Sequence, residues 1–192
     1  MKSYASATET QLIREFQKGN NMALEVLVNR YKNMIFTSIL ILVKDRHLAE
    51  DILQDVFVKV ITQLRSDKYK DGGRFSSWIM CIARNHSLDT IRKNGKIDNV
   101  ELSETELNEI SMDILEDAQS KIMKSQSYNK LSDMLSYIPY EQREVIILRL
   151  FGELSFKEIA ELTDSTVNTS MGRVRYGIVN LRKLMAQHQI VL

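Results

Sequence analysis

The sequence predicts an all-α protein of two helical domains joined by an acidic linker, the second of which contains a helix-turn-helix. Pro139 is the only proline among 192 residues, and apolar residues recur at spacings of three and four rather than two, which is typical of amphipathic helices. The stretch 97–118 lacks a firm period and is rich in carboxylates. Such a composition favours a linker between two packed units.

The first domain, residues 1–96, is predicted to contain four helices around one core. Thr8 and Gln11 have the spacing of a capping box at the start of the first helix, and Gly19 ends it. The second and third helices are expected over about 21–43 and 46–64 because their apolar residues form inward stripes. The fourth is expected to begin at Ser76 or Ser77 and to end at Asn94 and Gly95.

The second domain, residues 119–192, is predicted to contain a first helix up to Ile138, then Pro139 and a helix in "YEQREVIILRLFG". Ser155 and Glu158 form a second capping box, which opens the short helix "SFKEIAEL". The turn "TDS" and a long basic helix follow. A short helix, a tight turn and a longer basic helix are the order of a helix-turn-helix.

Charge alternates by block along the chain. Residues 61–96 hold eight Lys and Arg against three Asp, a net charge of +5, whereas 97–120 hold eight carboxylates and no Lys or Arg. The segment after Asp164 holds four Lys and Arg and no acid. Any single block is explained by a solvated face, but three in this order indicate more than solubility.

Several classes of protein are not expected. No run approaches the roughly 18 apolar residues of a membrane span, and the amino terminus lacks a signal peptide's apolar segment, so we expect a cytoplasmic protein without membrane insertion. Cys81 is the only cysteine, which agrees with a reducing compartment.

An enzyme is not expected either. His47, His86 and His188 are scattered, the single cysteine has no partner for a metal, and no glycine-rich phosphate loop is present. We therefore predict no cofactor, no metal site and no catalytic residues.

Three motifs resemble one known family. "HLAEDILQDVFVKV" (47–60) is similar to a polymerase-binding helix, "RFSSWIMCIARNHSLDTIRK" (74–93) to a promoter-melting segment, and "YEQREVIILRLFGELSFKEIAEL" with "VNTSMGRVRYGIVNLRK" to a carboxy-terminal DNA-binding domain. In this order they resemble the extracytoplasmic-function sigma factors of bacterial RNA polymerase, from about Thr8 to Leu184. The resemblance implies core RNA polymerase and promoter DNA as partners, and leaves open an anti-sigma factor or another recruiting protein.

The predicted polymerase-binding face lies on the third helix. The inward stripe leaves a compact polar surface around one exposed valine at spacings of three and four, formed by Asp51, Gln54, Asp55 and Val58. A solvated helix side is the alternative. The resemblance implies instead that this face binds the clamp helices of the polymerase's largest subunit.

The predicted −10 DNA-binding residues follow the third helix. Promoter melting requires cations along the backbone and aromatic or apolar surfaces for unpaired bases, which suits Lys68, Lys70, Arg74, Phe75, Trp78, Arg84 and Asn85. Gly72 and Gly73 let the loop backbone approach nucleic acid closely. The alternative for Phe75 and Trp78 is the core, and we expect Trp78 to be partly buried and Cys81 to serve packing.

The predicted −35 DNA-binding residues lie on the last long helix: Asn168, Thr169, Ser170, Met171, Arg173, Arg175, Tyr176 and Lys183. Met171 and Gly172 stand where the family more often has a cation or a small polar residue, and Asp164 stands in the turn where glycine is frequent. Base reading in the major groove therefore looks weak, whereas contacts of Arg173, Arg175 and Lys183 with phosphates fit.

The acidic linker has two interpretations. It is either a flexible spacer or, as the resemblance implies, a segment that threads a cationic channel of the polymerase. The alternative for the whole chain is a helix-turn-helix regulator with a helical effector or dimerisation domain. That alternative leaves the cationic aromatic segment 68–96 unexplained.

Overall fold

The computed structural model describes residues 4, 6–66, 69, 72–93, 134–135 and 137–187. Within these ranges every regular element is an α-helix, as the sequence predicts. The first domain contains α1 (Glu9–Gln17), α2 (Asn21–Val43), α3 (Arg46–Arg65) and α4 (Phe75–Lys93), and the second contains α5 (Tyr140–Leu150), α6 (Phe156–Leu162) and α7 (Val167–Gln187). The predicted linker and the segment 119–133 lie outside the described residues.

Local signals fix the starts and ends of the first helices. The backbone N–H of Gln11 donates to the Thr8 hydroxyl, and the Thr8 N–H donates to the Gln11 side chain, which confirms the predicted capping box. Gly19 follows α1 with φ +96°, a left-handed conformation that suits glycine. The predicted bounds of α2 are confirmed, and Asn20 caps its amino end by accepting from the N–H of Met22.

The second helix is the centre of the first domain. It contacts α1, α3 and α4, and its Leu27, Ile35 and Ile39 are at most 2% exposed. By length and mean hydropathy (1.3) α2 could cross a membrane. Because its apolar residues pack against three neighbouring helices, we assign it to the core of this domain.

The fourth helix begins earlier than the sequence predicts. The N–H of Trp78 already donates to the carbonyl of Arg74 at 3.1 Å, so the first residue of α4 is Phe75 rather than Ser76 or Ser77. The hydroxyl of Ser77 donates to the carbonyl of Gly152 at 2.7 Å. This side chain therefore contacts the second domain.

The second domain contains three complete helices in the described residues, and of the predicted helix up to Ile138 only positions 134–135 are seen as helical, with a turn at 137–138. Pro139 directly precedes α5, and Ser155 and Glu158 form the predicted capping box of α6. Asp164 has φ +50° in the turn before α7, a conformation that Asp tolerates better than most residues with a β-carbon. The short α6, this turn and the long α7 confirm the predicted helix-turn-helix.

The two domains touch through α4 and α2 of the first and α5 of the second. One cluster of buried apolar residues includes Ile79 and Met80 on one side and Val145 and Leu148 on the other. Gly152, after α5, is buried, and a β-carbon there would lie 3.0 Å from Cγ of Met80. The chain turn at Gly152 thus lies directly against α4.

Candidate nucleic-acid interface

The predicted polymerase-binding residues form one exposed face on α3. Asp45 caps this helix by accepting from the N–H of Leu48 at 2.9 Å. The inward side is buried through residues such as Ile52 and Val56. On the outward side, Asp51, Gln54, Asp55 and Val58 are all exposed.

Val58 is 62% exposed although it is apolar. Within the described residues, Asp51 and Asp55 take part in no ion pair. The structure therefore brings the four predicted residues together as a free surface. Two carboxylates and an amide around an exposed valine can bind a basic partner that has an apolar anchor.

An aromatic cluster lies where the predicted −10 segment begins. Phe75 packs edge-on against Tyr31 at 5.2 Å and Tyr69 at 5.9 Å between ring centroids, and Trp78 lies 4.4 Å from Tyr69 and 5.5 Å from Phe75. Phe75 is only 1% exposed. The prediction that Phe75 contacts DNA is therefore corrected, because its ring is a core residue of the first domain.

Trp78 is half-buried, as expected, so part of its indole remains on the surface of α4. The cluster was incompletely predicted, since Tyr31 lies on α2 and no local spacing links it to α4. Gly73 has φ +68°, and both Gly72 and Gly73 are exposed. Lys68 and Lys70 lie outside the described residues, so their predicted roles stay predictions.

The remaining predicted −10 residues face the second domain. Arg74 forms a two-pronged ion pair with Glu158, in which Nη2 donates to Oε2 at 2.9 Å. Arg84 Nε donates to Glu144 Oε1 at 2.8 Å, and these side chains are only 11% and 5% exposed. Asn85 stays exposed and accepts from Arg84 Nη1 at 3.2 Å.

Arg74 changes the acidity of one carboxyl group of the second domain, that of Glu158. Hydrogen bonds from Arg74, and then those from Ser155, lower the pKa of the Glu158 carboxyl from 4.5 to about 2. Glu144 also accepts from the hydroxyl of Tyr140 at 3.3 Å, and burial together with Glu144 raises the pKa of that phenol. The sequence indicated Glu158 only as a capping residue and did not indicate Glu144 at all, since both partners are distant in sequence.

The predicted −35 residues divide by their place on α7. Asn168, Thr169, Met171, Arg175, Tyr176 and Lys183 are exposed, and Arg173 is half-buried. Tyr176 is 66% exposed and Met171 is 49% exposed. This helix therefore presents a mixed surface of amide, hydroxyl, cationic and apolar groups.

Ser170 does not belong to that surface. It is fully buried, and its hydroxyl lies 3.0 Å from that of Ser165 in the preceding turn. The prediction that it contacts DNA is corrected, because its hydroxyl joins the turn of the helix-turn-helix to α7. Sequence reasoning also missed Thr166, whose hydroxyl accepts from the N–H of Thr169 at 3.1 Å and so caps α7.

Arg182 is a further exposed cation that the prediction omitted. It lies seven residues after Arg175, which itself lies seven residues after Asn168. Residues seven apart share one face of a helix. The seven-residue spacing from Asn168 through Arg175 indicates Arg182 as a member of the same face.

No metal centre is present in the part of the chain that the structure describes, because no three His, Cys, Asp or Glu side chains lie close enough to hold an ion. Cys81 is half-buried, and burial is the main cause that raises the pKa of its thiol. A thiol held in its neutral form is a poor nucleophile. Cys81 thus packs in the structure as predicted from the sequence.

Two family models match the chain. Sigma-70 region 2 matches residues 27–97, and Sigma-70 region 4 matches residues 128–176. The chain is 29% identical over 177 residues to the ECF RNA polymerase sigma factor SigW of Bacillus subtilis, which covers 89% of this chain and 93% of SigW. It is 30% identical over 169 residues to the RNA polymerase sigma factor YlaC of the same organism, covering 86% of this chain and 93% of YlaC.

Two solved structures have a similar fold. CnrH in complex with the cytosolic domain of CnrY superposes with a TM-score of 0.58 at 19% identity, covering 92% of this chain and 96% of that one. The sigma factor RpoE in complex with the anti-sigma factor NepR from Bartonella quintana gives a TM-score of 0.58 at 21% identity, covering 85% and 96%. At these identities the likeness supports the all-helical fold alone.

Proposed function

The chain belongs to the extracytoplasmic-function family of RNA polymerase sigma factors, and we propose from its surfaces which residues perform each step of initiation. Sigma factors bind core RNA polymerase and direct promoter recognition, and this is the function of the chain. Such proteins are regulatory and DNA-binding. We propose further that this chain is not an enzyme, acts in the cytoplasm and melts the promoter that it recognises.

Core polymerase binds, in this proposal, to the exposed face of α3. The observation that supports it best is Val58, which is 62% exposed beside a carboxylate and amide surface. An apolar side chain that is exposed in the free protein can be buried in the core of an interface with a polar rim. Asp51 and Asp55 would add complementary charge, which guides association more than it adds affinity.

Charge reversal tests this surface. Asp51→Lys with Asp55→Lys should leave the helical circular dichroism unchanged, because both side chains are exposed, and should abolish co-elution with core polymerase. The matched control is Glu25→Lys with Asp89→Lys, which makes the same charge change at exposed positions of α2 and α4. Co-elution of the Asp51 and Asp55 variant at the level of the control would contradict the assignment.

The −10 element binds, in this proposal, along one side of α4 and the loop before it. Arg74, Arg84 and Asn85 would contact phosphates and a base edge, and the half-exposed Trp78 would stack on an unpaired base. Base stacking on an aromatic ring contributes roughly 1–3 kcal/mol. Lys68 and Lys70 are included from the sequence alone.

Replacing Lys68, Lys70 and Arg74 with alanine tests melting separately from polymerase binding. The variant should join the core enzyme normally, yet permanganate should modify fewer unpaired thymines in the promoter. Unchanged reactivity would show that these three cations have no part in melting. The Asp51 and Asp55 variant should show the opposite pattern, with the defect at the binding step.

The −35 element would bind α7. Asn168, Thr169 and Tyr176 are the candidate base readers, while Arg173, Arg175 and Lys183 would contact phosphates, which position the helix without specifying sequence. With Met171 and Gly172 in this surface, we expect a weak −35 preference. A promoter library would contradict this if it returned a sharply defined −35 motif that substitution of the three candidate readers abolishes.

An anti-sigma factor is a further proposed partner. Both CnrH with CnrY and RpoE with NepR were solved as complexes. Affinity purification of the chain under non-inducing conditions, followed by mass spectrometry, tests for such a partner. Recovery of core polymerase subunits alone would contradict the proposal.

A further inference from the structure

One face of α4 is involved in two interactions, the proposed contact with DNA and the contact with the second domain. Ser77 and Trp78 follow Arg74 by three and four residues, and Arg84 follows Ser77 by seven, so these residues share one side of the helix. This is the side that the proposed −10 contacts occupy. It is also the side against which the second domain packs.

Two carboxylates of the second domain take the place that DNA phosphates would need. Glu144 of α5 accepts from Arg84 at 2.8 Å, across 60 residues of sequence. Glu158 of α6 binds both terminal nitrogens of Arg74 across 84 residues. Carboxylates and phosphates both bind a guanidinium group through two parallel hydrogen bonds, so they compete for the same donors.

The ion pair of Arg84 and Glu144 is buried between the two domains. The Arg84 and Glu144 side chains are 11% and 5% exposed, so both are largely shielded from solvent and from a nucleic acid while the domains touch. The second pair is more open, with Arg74 55% exposed. DNA could therefore approach Arg74 first, but it reaches Arg84 only if the second domain moves away.

A partly open cleft lies beside the ion pair of Arg74 and Glu158. It has a volume of about 470 Å³ and is lined by Trp78 and Cys81 of α4 and by Leu154 and Leu162 of the second domain. Trp78 is the only tryptophan in the chain. Its fluorescence consequently reports on the contact between the domains without any label.

We propose that Glu144 and Glu158 hold the free protein in a closed state in which the second domain masks the −10 DNA-binding face of α4, so that promoter DNA and the second domain compete for Arg84 and Arg74. This inference rests on the proposed −10 role of α4. In the closed state the apparent affinity for DNA is the intrinsic affinity multiplied by the fraction of open molecules. Loosening the two contacts therefore increases DNA affinity without adding any contact to DNA.

The test uses the full chain with Glu144→Gln and Glu158→Gln combined. Gln at position 158 preserves the capping box of α6, since Gln serves at that position as well as Glu. The control, Glu141→Gln with Glu161→Gln, removes the same charge from exposed positions three residues away in the same two helices. Acrylamide quenching of Trp78 measures opening, and because acrylamide is neutral, the lost charge does not itself change the collisions.

DNA affinity is measured with a fluorescent single-stranded −10 oligonucleotide. If about one molecule in ten is open, full opening raises the affinity about tenfold. We expect more quenching and tighter binding in the Glu144 and Glu158 variant than in the control. Far-UV circular dichroism confirms that both proteins remain helical.

Two results would overturn the inference, and they differ in what they say about α4. Unchanged quenching relative to the control would show that the two glutamates do not hold the domains together, while Arg74→Ala with Arg84→Ala would still test α4 as the DNA site. Increased quenching with unchanged DNA affinity would show that the domains do open but that α4 does not bind −10 DNA. The latter result would contradict the proposed function as well.

A charge swap gives an independent measurement. Arg84→Glu with Glu144→Arg restores an ion pair across the interface, so quenching of Trp78 should return towards the wild-type value. The same variant places a carboxylate on the DNA-binding face, so its affinity for the oligonucleotide should fall below that of the wild type. Two results would contradict the proposed competition: Trp78 quenching in the charge-swap variant that stays above the wild-type value, or oligonucleotide binding as tight as that of the wild type.

Discussion

Two glycines of α7 offer a direct test of how the second domain is packed. Gly172 and Gly177 lie five residues apart in the same helix. A β-carbon at Gly172 would meet no atom within 4 Å, whereas one at Gly177 would lie 2.6 Å from Cδ1 of Ile146 and 3.3 Å from Cβ of Gln142. We expect Gly→Ala to stabilise the protein at Gly172 but not at Gly177.

The magnitudes follow from helix propensity and from overpacking. Alanine in a helix interior is favoured over glycine by about 1 kcal/mol, and at Gly172 nothing opposes this gain. At Gly177 a clash with Ile146 opposes the same gain in helix propensity. Ile146 is only 3% exposed, so its side chain cannot rotate into solvent to avoid the clash. Overpacking a tight core costs about 1–3 kcal/mol, so Gly177→Ala should be less stable than Gly172→Ala by about that amount.

Chemical unfolding of the full chain, with hydrogen exchange of the α5 and α7 amides, measures this difference. Gly172→Ala should raise the unfolding midpoint and slow exchange in α7, whereas Gly177→Ala should leave the midpoint unchanged or lower it and speed exchange in both helices. Equal stabilisation by the two substitutions would refute the close approach of α7 to α5. Such a result would also remove the physical reason for glycine at position 177.

Three further predictions concern single side chains. Val58→Ala should weaken core binding by about 1 kcal/mol, roughly fivefold, with no loss of stability because the side chain is largely exposed; an unchanged affinity in a pull-down titration would count against the interface. Ser170→Ala should cost about 1 kcal/mol of stability through the lost hydrogen bond to Ser165 and should leave promoter preference unchanged, which a promoter library checks. The Glu158 carboxylate, with its pKa lowered to about 2, should contribute stability that is complete above pH 4.5 and lost as the pH falls towards 2; Glu158→Gln should therefore flatten acid unfolding in that window, and an unchanged acid profile would be contrary to this expectation.

The helices could be predicted from the sequence because their signals are local. The capping boxes at Thr8 and Ser155 each involve residues three apart, and the bounds of α2 follow from its apolar stripe and from Asn20. The helix-turn-helix follows from the same kind of signal, with Asp164 accepting the left-handed turn. The face of α3 was predictable too, since Asp51 and Val58 lie on the side opposite a regular apolar stripe.

Two of the errors involve contacts between distant parts of the chain, whereas the Ser170 error is local, since its hydroxyl lies beside that of Ser165 five residues earlier. Ser77 has the composition of a helix cap, but its hydroxyl is used by Gly152, 75 residues later. An aromatic ring in a cationic segment suggests that Phe75 contacts unpaired bases, yet the ring packs against Tyr31 of α2 in the core. Local patterns give the residue types that a site needs, but only tertiary packing decides which of them remain exposed.

The two functional faces of the first domain differ in their exposure, and this difference affects the order in which their partners bind. In the closed arrangement the α3 face around Asp51 and Val58 is exposed, whereas Arg84 on α4 is buried against the second domain. Polymerase can therefore bind α3 without any rearrangement, while the apparent affinity for DNA includes the cost of opening. Substitution of Glu144 and Glu158 should change DNA affinity while the affinity of the α3 face for core polymerase stays the same. An order in which polymerase binds first and DNA second then follows from the exposure of two side-chain surfaces, without any difference in their intrinsic affinities.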